Sequence, residues 1–184
     1  MSDETEALAR RLTSLRQAQG WTLEDLAARS GVSRATLSRI ERGDVSPTAQ
    51  VLGRLAAAHR LPMQALFAED TGALTLVPFA QQSVWTDPET GFVRRTLSPS
   101  QSGFRGTVIE GRLPAGRTIA YDAPPLIDLE HHLVLLDGAL EVTLGPETHW
   151  LSAGDCLRFR LTSPNSYHAP GPQPARYILT VILP

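Results

Sequence analysis

The stretch WTLEDLAARSGVSRATLSRIERGDVSPT, residues 21–48, decides the reading of the first half of the chain. Leu23, Leu26 and Ala27 fall on one helical face, and Thr22 stands before them as an N-cap with Asp25 three residues on. Gly31 interrupts the pattern inside the turn Ser30-Gly31-Val32. A glycine there can take the left-handed conformation that a three-residue turn between helices needs. Ala27, four residues earlier, is small enough to let two helices approach. Ser33 caps the next helix, which runs to about Arg42 with Leu37 and Ile40 facing inward and Gly43 ending it. The opposite face of that helix presents Arg34, Ala35, Ser38 and Arg39.

Working outward, Leu8, Leu12 and Leu15 give a preceding helix its apolar face, and Gly20 closes it. Downstream, Ser46-Pro47 reads as a cap followed by proline at the first helical position. Val51, Leu52 and Leu55 then line a fourth helix, and Pro62 opens a short fifth with Leu66 and Phe67. Two helices joined at a tight turn are a device for reading the major groove, where the second helix puts its N-terminal side chains on base edges. Arg34 sits for that role, and an arginine can donate two bonds to one guanine. The expected DNA-contacting set is Thr22, Ser33, Arg34, Ala35, Thr36, Ser38 and Arg39. Arg29, Arg42 and Arg54 read equally well as surface charges or phosphate contacts.

Leu26-Ala27, Gly31-Val32, Leu37-Ser38, Ile40-Glu41, Gly43 and Ser46-Pro47 together closely resemble the XRE (lambda-repressor-like) helix-turn-helix domain over about residues 8–68. That resemblance implies operator DNA as partner and a homodimer on an inverted repeat. One residue departs from it: the family often has glutamine at the start of the second helix, on a DNA phosphate, and this chain has Leu23. Thr22 beside it is the expected substitute.

Beyond residue 68 the grammar changes, with twelve of the 14 prolines and short alternating runs. These runs are Phe104–Leu113, Thr118–Tyr121, Leu129–Leu136, Ala139–Leu144, Cys156–Leu161 and Tyr177–Leu183. Asp137-Gly138 reads as a tight hairpin, and Gly145-Pro146 and Pro114-Ala115-Gly116 as further turns. Many short strands with such turns point to a sandwich or barrel. Leu113-Pro-Ala-Gly116, Leu129 to Gly138, Ala153-Gly-Asp155 and Pro164-Asn-Ser-Tyr-His168 resemble a cupin. The expected fold class is therefore a five-helix all-α domain followed by an all-β cupin, a double-stranded β-helix. The expected boundaries are 1–68, a linker with leading β segments at 69–103, and 104–184, with the junction near Glu69–Ala73.

Metal-binding cupins set three histidines and a glutamate on neighbouring strands. The resemblance puts Pro125, Ile127, His131 and Asn165 at those positions, so no metal is expected. No cofactor and no catalytic residue are expected either. The family's cupin often binds a small effector, and Tyr121, His131, Asn165, Tyr167 and His168 would line its mouth. A filled barrel acting only as a dimerisation module is the alternative. His131 should face in and His132 out, since strand neighbours alternate.

Residues 1–68 hold nine arginines against seven acids, and the rest eight against twelve, so the charge favours nucleic acid only in the first part. All 17 basic residues are arginine. Cys156 is alone, which excludes an intrachain disulfide, and reads as a small core residue. The acidic start Met1-Ser2-Asp3-Glu4 and the lack of a long apolar run point to a cytoplasmic protein without a membrane partner. An iron-dependent oxygenase built on the same fold lacks its ligands here, and an antitoxin would carry a short or disordered tail.

Overall fold

A computed structural model of the chain describes residues 3–67, 76–101 and 104–184. The expected junction near Glu69–Ala73, and Met1-Ser2, lie outside the described residues. Four α-helices come first: α1 Asp3–Ala18, α2 Leu23–Ser30, α3 Arg34–Glu41 and α4 Ala49–His59. Thr22 and Asp25 form a full capping box at α2, and Ser33 caps α3 by accepting from the Thr36 N–H. Gly31 takes φ +68 and its N–H reaches back to the Ala27 carbonyl at 2.9 Å, closing α2 at the turn.

The helical part differs from expectation at α4 and after it. The cap of α4 is Thr48, whose hydroxyl accepts from the Val51 N–H, rather than Ser46. Thr48 has extended backbone geometry and a free side-chain oxygen, whereas Ser46 Oγ is occupied by the indole N–H of Trp85 at 3.2 Å. The fifth helix is a 3-10 turn, Met63–Phe67. Five residues after a proline are too few for a nucleated α-helix, and buried Leu66 and Ala65 hold the turn by packing instead.

Ten strands follow among the described residues: β1 Val84–Thr86, β2 Val93–Ser98, β3 Gly106–Leu113, β4 Thr118–Tyr121, β5 Leu129–Asp137, β6 Ala139–Leu144, β7 Glu147–Ser152, β8 Cys156–Leu161, β9 Asn165–His168 and β10 Ala175–Ile182. They form two antiparallel sheets, ordered β1-β2-β3-β10-β5-β8 and β4-β9-β6-β7. From β3 onward every connection crosses between the sheets except β6 to β7. The alternating burial of β3, β5 and β10 directs one row of side chains into the shared interior.

Asp137-Gly138 is accordingly not a hairpin. β5 and β6 lie in different sheets, and Gly138, at φ +80, turns the chain between them. A Cβ there would meet the Pro174 carbonyl oxygen at 2.4 Å, so the corner also needs the glycine for space. The tight hairpin is Gly145-Pro146, with Leu144 opposite Glu147 and Gly145 at φ +56. Cys156 is exposed at the start of the edge strand β8, not in the core as expected.

The helical and β parts share one continuous apolar core. Asp87 Oδ2 accepts from the Ala49 N–H at 3.2 Å, adding a carboxylate from the β part to the N-terminus of α4. On the next turns of α4, Arg54 and Gln50 donate to Asp122. Tyr121 lies against Gly53, where a Cβ would come within 2.9 Å of its ring. The first half of the fourth helix is thus seated on the β part.

Candidate functional site

Two features of the structure carry chemistry: the outer face of α3, and a cavity inside the β part. On α3, Leu37 and Ile40 are buried at 1 and 2% exposure, while Arg34, Ala35 and Arg39 are exposed. A half-buried ion pair that the sequence reading missed sets the helix in place. Arg16 of α1 donates from Nε and Nη2 to the two Glu41 oxygens, each at 2.7 Å, and from Nη1 to the Trp21 carbonyl at 2.8 Å. This fork–fork geometry fixes the orientation of α3 against α1. The Glu41 hydrogen bonds push the Arg16 guanidinium above its ordinary range. Arginine and glutamate 25 residues apart carry no periodic signal, so only the fold brings them together.

The expected DNA-contacting residues lie on one surface, with different degrees of local engagement. Ser33 and Thr36 share a hydroxyl contact of 2.8 Å beside the cap. Thr22 Oγ1 donates to Asp25 at 2.7 Å and accepts from its N–H, so what remains on that oxygen is a lone pair, which can accept a bond but not donate one. Phosphate oxygens only accept, and the single Thr22 hydroxyl proton is already given to Asp25. The expected substitution of Thr22 for the missing glutamine therefore requires that bond to be exchanged. Arg34 pairs with Glu24, and Ser38 accepts from Arg42 at 2.7 Å. Among the described residues the Arg39 side chain makes no ion pair or hydrogen bond, and the residue is exposed. Of the ambiguous arginines, Arg29 stacks over Trp21 at 4.5 Å, Arg42 pairs with Asp44 and Arg54 with Asp122.

The cavity has a volume of about 60 Å³, several times the ~10–15 Å³ that one enclosed water needs. Tyr121, His131, Asn165 and Tyr167 all line it. His168 does not: it follows Tyr167 on β9, so alternation turns it outward, where Nδ1 meets Thr118 Oγ1 at 2.9 Å. His131 faces in at 6% exposure, and half-buried His132 pairs outside with Glu130 at 2.7 Å. Burial, with a smaller push from His132, lowers His131 to about 4, so it is neutral near pH 7.

The cavity's wall also contains Gly53, Met63 and Gln64 from the helical part. Its most polar wall residue, Arg94 of β2, was not among the expected residues. Arg94 is 2% exposed. Its Nη1 donates to Thr96 Oγ1 at 3.1 Å, its guanidinium lies 4.5 Å over the Phe67 ring, and its Nη2 has no hydrogen-bond partner. The signal was weak because Val93-Arg94-Arg95 reads as a charged surface strand until its pairing with β1 and β3 buries one of the two arginines.

The donor set does not fit a transition metal. At the positions the cupin resemblance implied, His131 alone has a ligating side chain, and Ile127 is 59% exposed. Among the described residues no three histidine, cysteine, aspartate or glutamate side chains converge. Likewise, no helix among them is long and apolar enough to cross a membrane.

Comparison with known proteins follows the same division. The helix-turn-helix family HTH_3 matches residues 12–66. The HTH-type transcriptional regulator SutR of Escherichia coli K12 is 27% identical over 177 residues, 96% of this chain and 95% of that protein. The regulator PuuR of the same organism is 36% identical over 69 residues, 38% of this chain and 37% of its own length. Among solved structures, an HTH_3 family transcriptional regulator from Vibrio cholerae superposes with TM-score 0.79 at 26% identity, covering 98% of this chain and 97% of that one. The iron(II) form of HppE, at TM-score 0.51 and 15% identity over 97% of this chain and 100% of that one, shares the fold alone. Residues 12–66 thus match the helix-turn-helix family HTH_3, and over nearly its whole length the chain is similar to HTH-type transcriptional regulators.

Proposed function

We propose that the protein binds an inverted-repeat operator as a homodimer, with α3 in the major groove, and that a small effector held in the β part modulates this. The observation that carries the DNA-reading role is the split character of α3. Its inner face is locked by Leu37, Ile40 and the Arg16–Glu41 pair, while Arg34, Ala35 and Arg39 stand exposed. Arg39 and Arg34 read base edges, Ser33, Thr36 and Ser38 position the backbone, and Thr22 contacts a phosphate on exchanging its bond to Asp25. The Arg34–Glu24 pair is exposed, so it costs little to exchange for DNA.

Two-fold symmetry of the operator follows from a pair of identical heads. An exposed Trp150 on the edge strand β7, 71% accessible, supports self-association through the β part. Residues 1–68 form the DNA-binding head, 104–184 the sensing and dimerising part, and 69–103 lead into it by supplying β1 and β2. A DNA partner supports a cytoplasmic location.

What supports a ligand-holding barrel over a filled one is the place of the cavity rather than its size. It reaches the head, since Gly53, Met63 and Gln64 form part of its wall. A ring chain also joins the two parts: Phe67, Trp85, Phe92, Tyr177 and Tyr167, with successive centroids 6.0 to 6.5 Å apart. A ligand that binds one seating of α4 better than another shifts the head by that difference in affinity.

Native mass spectrometry with a DNA mobility-shift titration tests this reading. A dimer that retains a small molecule, and binds DNA with an affinity that falls steeply with salt, is expected. A monomer that binds no DNA at low salt would overturn it.

A further inference from the structure

We propose that the cavity takes a small organic acid, an apolar body carrying one carboxylate, whose charged end pairs with Arg94. This rests on the reading that the barrel holds a ligand, and goes beyond it by naming the ligand's chemistry.

A guanidinium presents donors and no acceptor, and burying one without an anion is costly. Arg94 is buried, lines the cavity, and has no carboxylate partner among the described residues. The only hydrogen-bond partner found there for its terminal nitrogens is the Thr96 hydroxyl, and Nη2 has none. Its other neighbours are the face of Phe67 and, through space, the tyrosines 121 and 177. Burial lowers Arg94 to about 10, with the two tyrosines pushing it back up, so it keeps its charge at neutral pH.

The rest of the site agrees with one anionic group on an apolar body. The Asn165 amide nitrogen, also buried in this cavity, lacks a partner and is a second donor. His131 is neutral and adds no second cation. Most of the remaining wall is apolar or aromatic, including Phe92, Ile109, Ile119, Leu129 and Leu179. A carboxylate is matched by a guanidinium edge and one amide, with a single cation to balance its single charge. The sequence also clears ground for the ring of Tyr177, another residue of the wall. Gly111 is the register partner of Arg94 on β3, and the Tyr177 ring occupies the place of its missing side chain, with Cζ 2.3 Å from where a Cβ would sit.

The test is thermal denaturation of the full chain with butyrate and benzoate, each against its uncharged amide, and with inorganic phosphate. Butyrate or benzoate at millimolar concentration is expected to raise the melting temperature by several degrees, and the amides and phosphate to leave it unchanged. Arg94→Met should lose the acid-induced shift, measured against the same variant without acid. Arg94→Lys, which keeps the charge and covers the case in which Arg94→Met does not fold, should keep the preference for acid over amide with a smaller shift. Amides that stabilise as well as acids would overturn the anion while sparing the ligand-holding barrel. A larger shift with phosphate, or an undiminished acid preference in Arg94→Met, would overturn the assignment to Arg94 and a carboxylate. No shift with any probe, together with native mass spectra free of adducts, would overturn both readings.

Discussion

Single side chains divide the labour of this molecule. Arg39 is exposed and without a partner among the described residues, and Arg34 is held only by Glu24 at the surface. Arg39→Ala and Arg34→Ala should each weaken operator binding by about 1–3 kcal/mol, the worth of a bidentate guanine contact. Fluorescence anisotropy checks the affinity, and an unchanged melting temperature checks that the fold is intact. Inside the barrel, His131 sets a pH dependence whose sign follows from its burial. Its folded pKa is about 4, against about 6.5 in an unfolded chain. Between those values the unfolded chain binds more protons, so this stability is complete above pH 6.5 and is lost as pH falls toward 4. The loss amounts to at most about 3 kcal/mol. Melts from pH 7.5 down to 4.5 should show it, and His131→Gln should flatten that slope.

At the scale of elements, the turn and the ion pair that aim α3 are the points to break. Gly31 has φ +68 and nothing within 4 Å of where a Cβ would sit, so Gly31→Val costs backbone strain alone, about 1–3 kcal/mol. Chemical denaturation that shows no loss for Gly31→Val would contradict this. Arg16→Leu leaves Glu41 half-buried and unpaired, and should cost about 3–5 kcal/mol. The helices were legible because each carries local signals: caps at Thr22 and Ser33, apolar spacing through Leu26, Leu37 and Leu52, and a glycine at the turn. The sheet topology was not, because Asp137-Gly138 looks the same whether it joins paired strands or turns a corner between sheets. Strands β7 and β9 were missed for a related reason. Glu147–Ser152 is mostly exposed and lacks an apolar alternation, and Asn165–His168 is only four residues long. Four of the five residues expected around the cavity line it, since period-two alternation fixes inward positions once a strand is placed. His168 fell on the wrong parity. Arg94 escaped notice because what buries it is the pairing of β2 between β1 and β3, a long-range fact.

Across the whole molecule, the helical and β parts are fastened by polar contacts at α4 and by an unbroken apolar core. Asp87 and Asp122 from the β part engage the first and middle turns of α4, and Phe67 brings the end of the helical part onto Arg94 and Trp85. A head seated this way shares a wall with the cavity, which is the contact through which the proposed ligand would act on DNA binding. The proposed regulatory role depends first on sequence-specific DNA reading by α3. Affinity selection of fragmented genomic DNA by the purified protein, followed by sequencing, tests that most directly when run beside Arg34→Ala and Arg39→Ala. The wild-type protein should enrich an inverted repeat with half-sites about one helical turn, ~10 base pairs, apart, and both variants should lose it. Wild-type enrichment no greater than that of the variants would contradict α3 as the reading element.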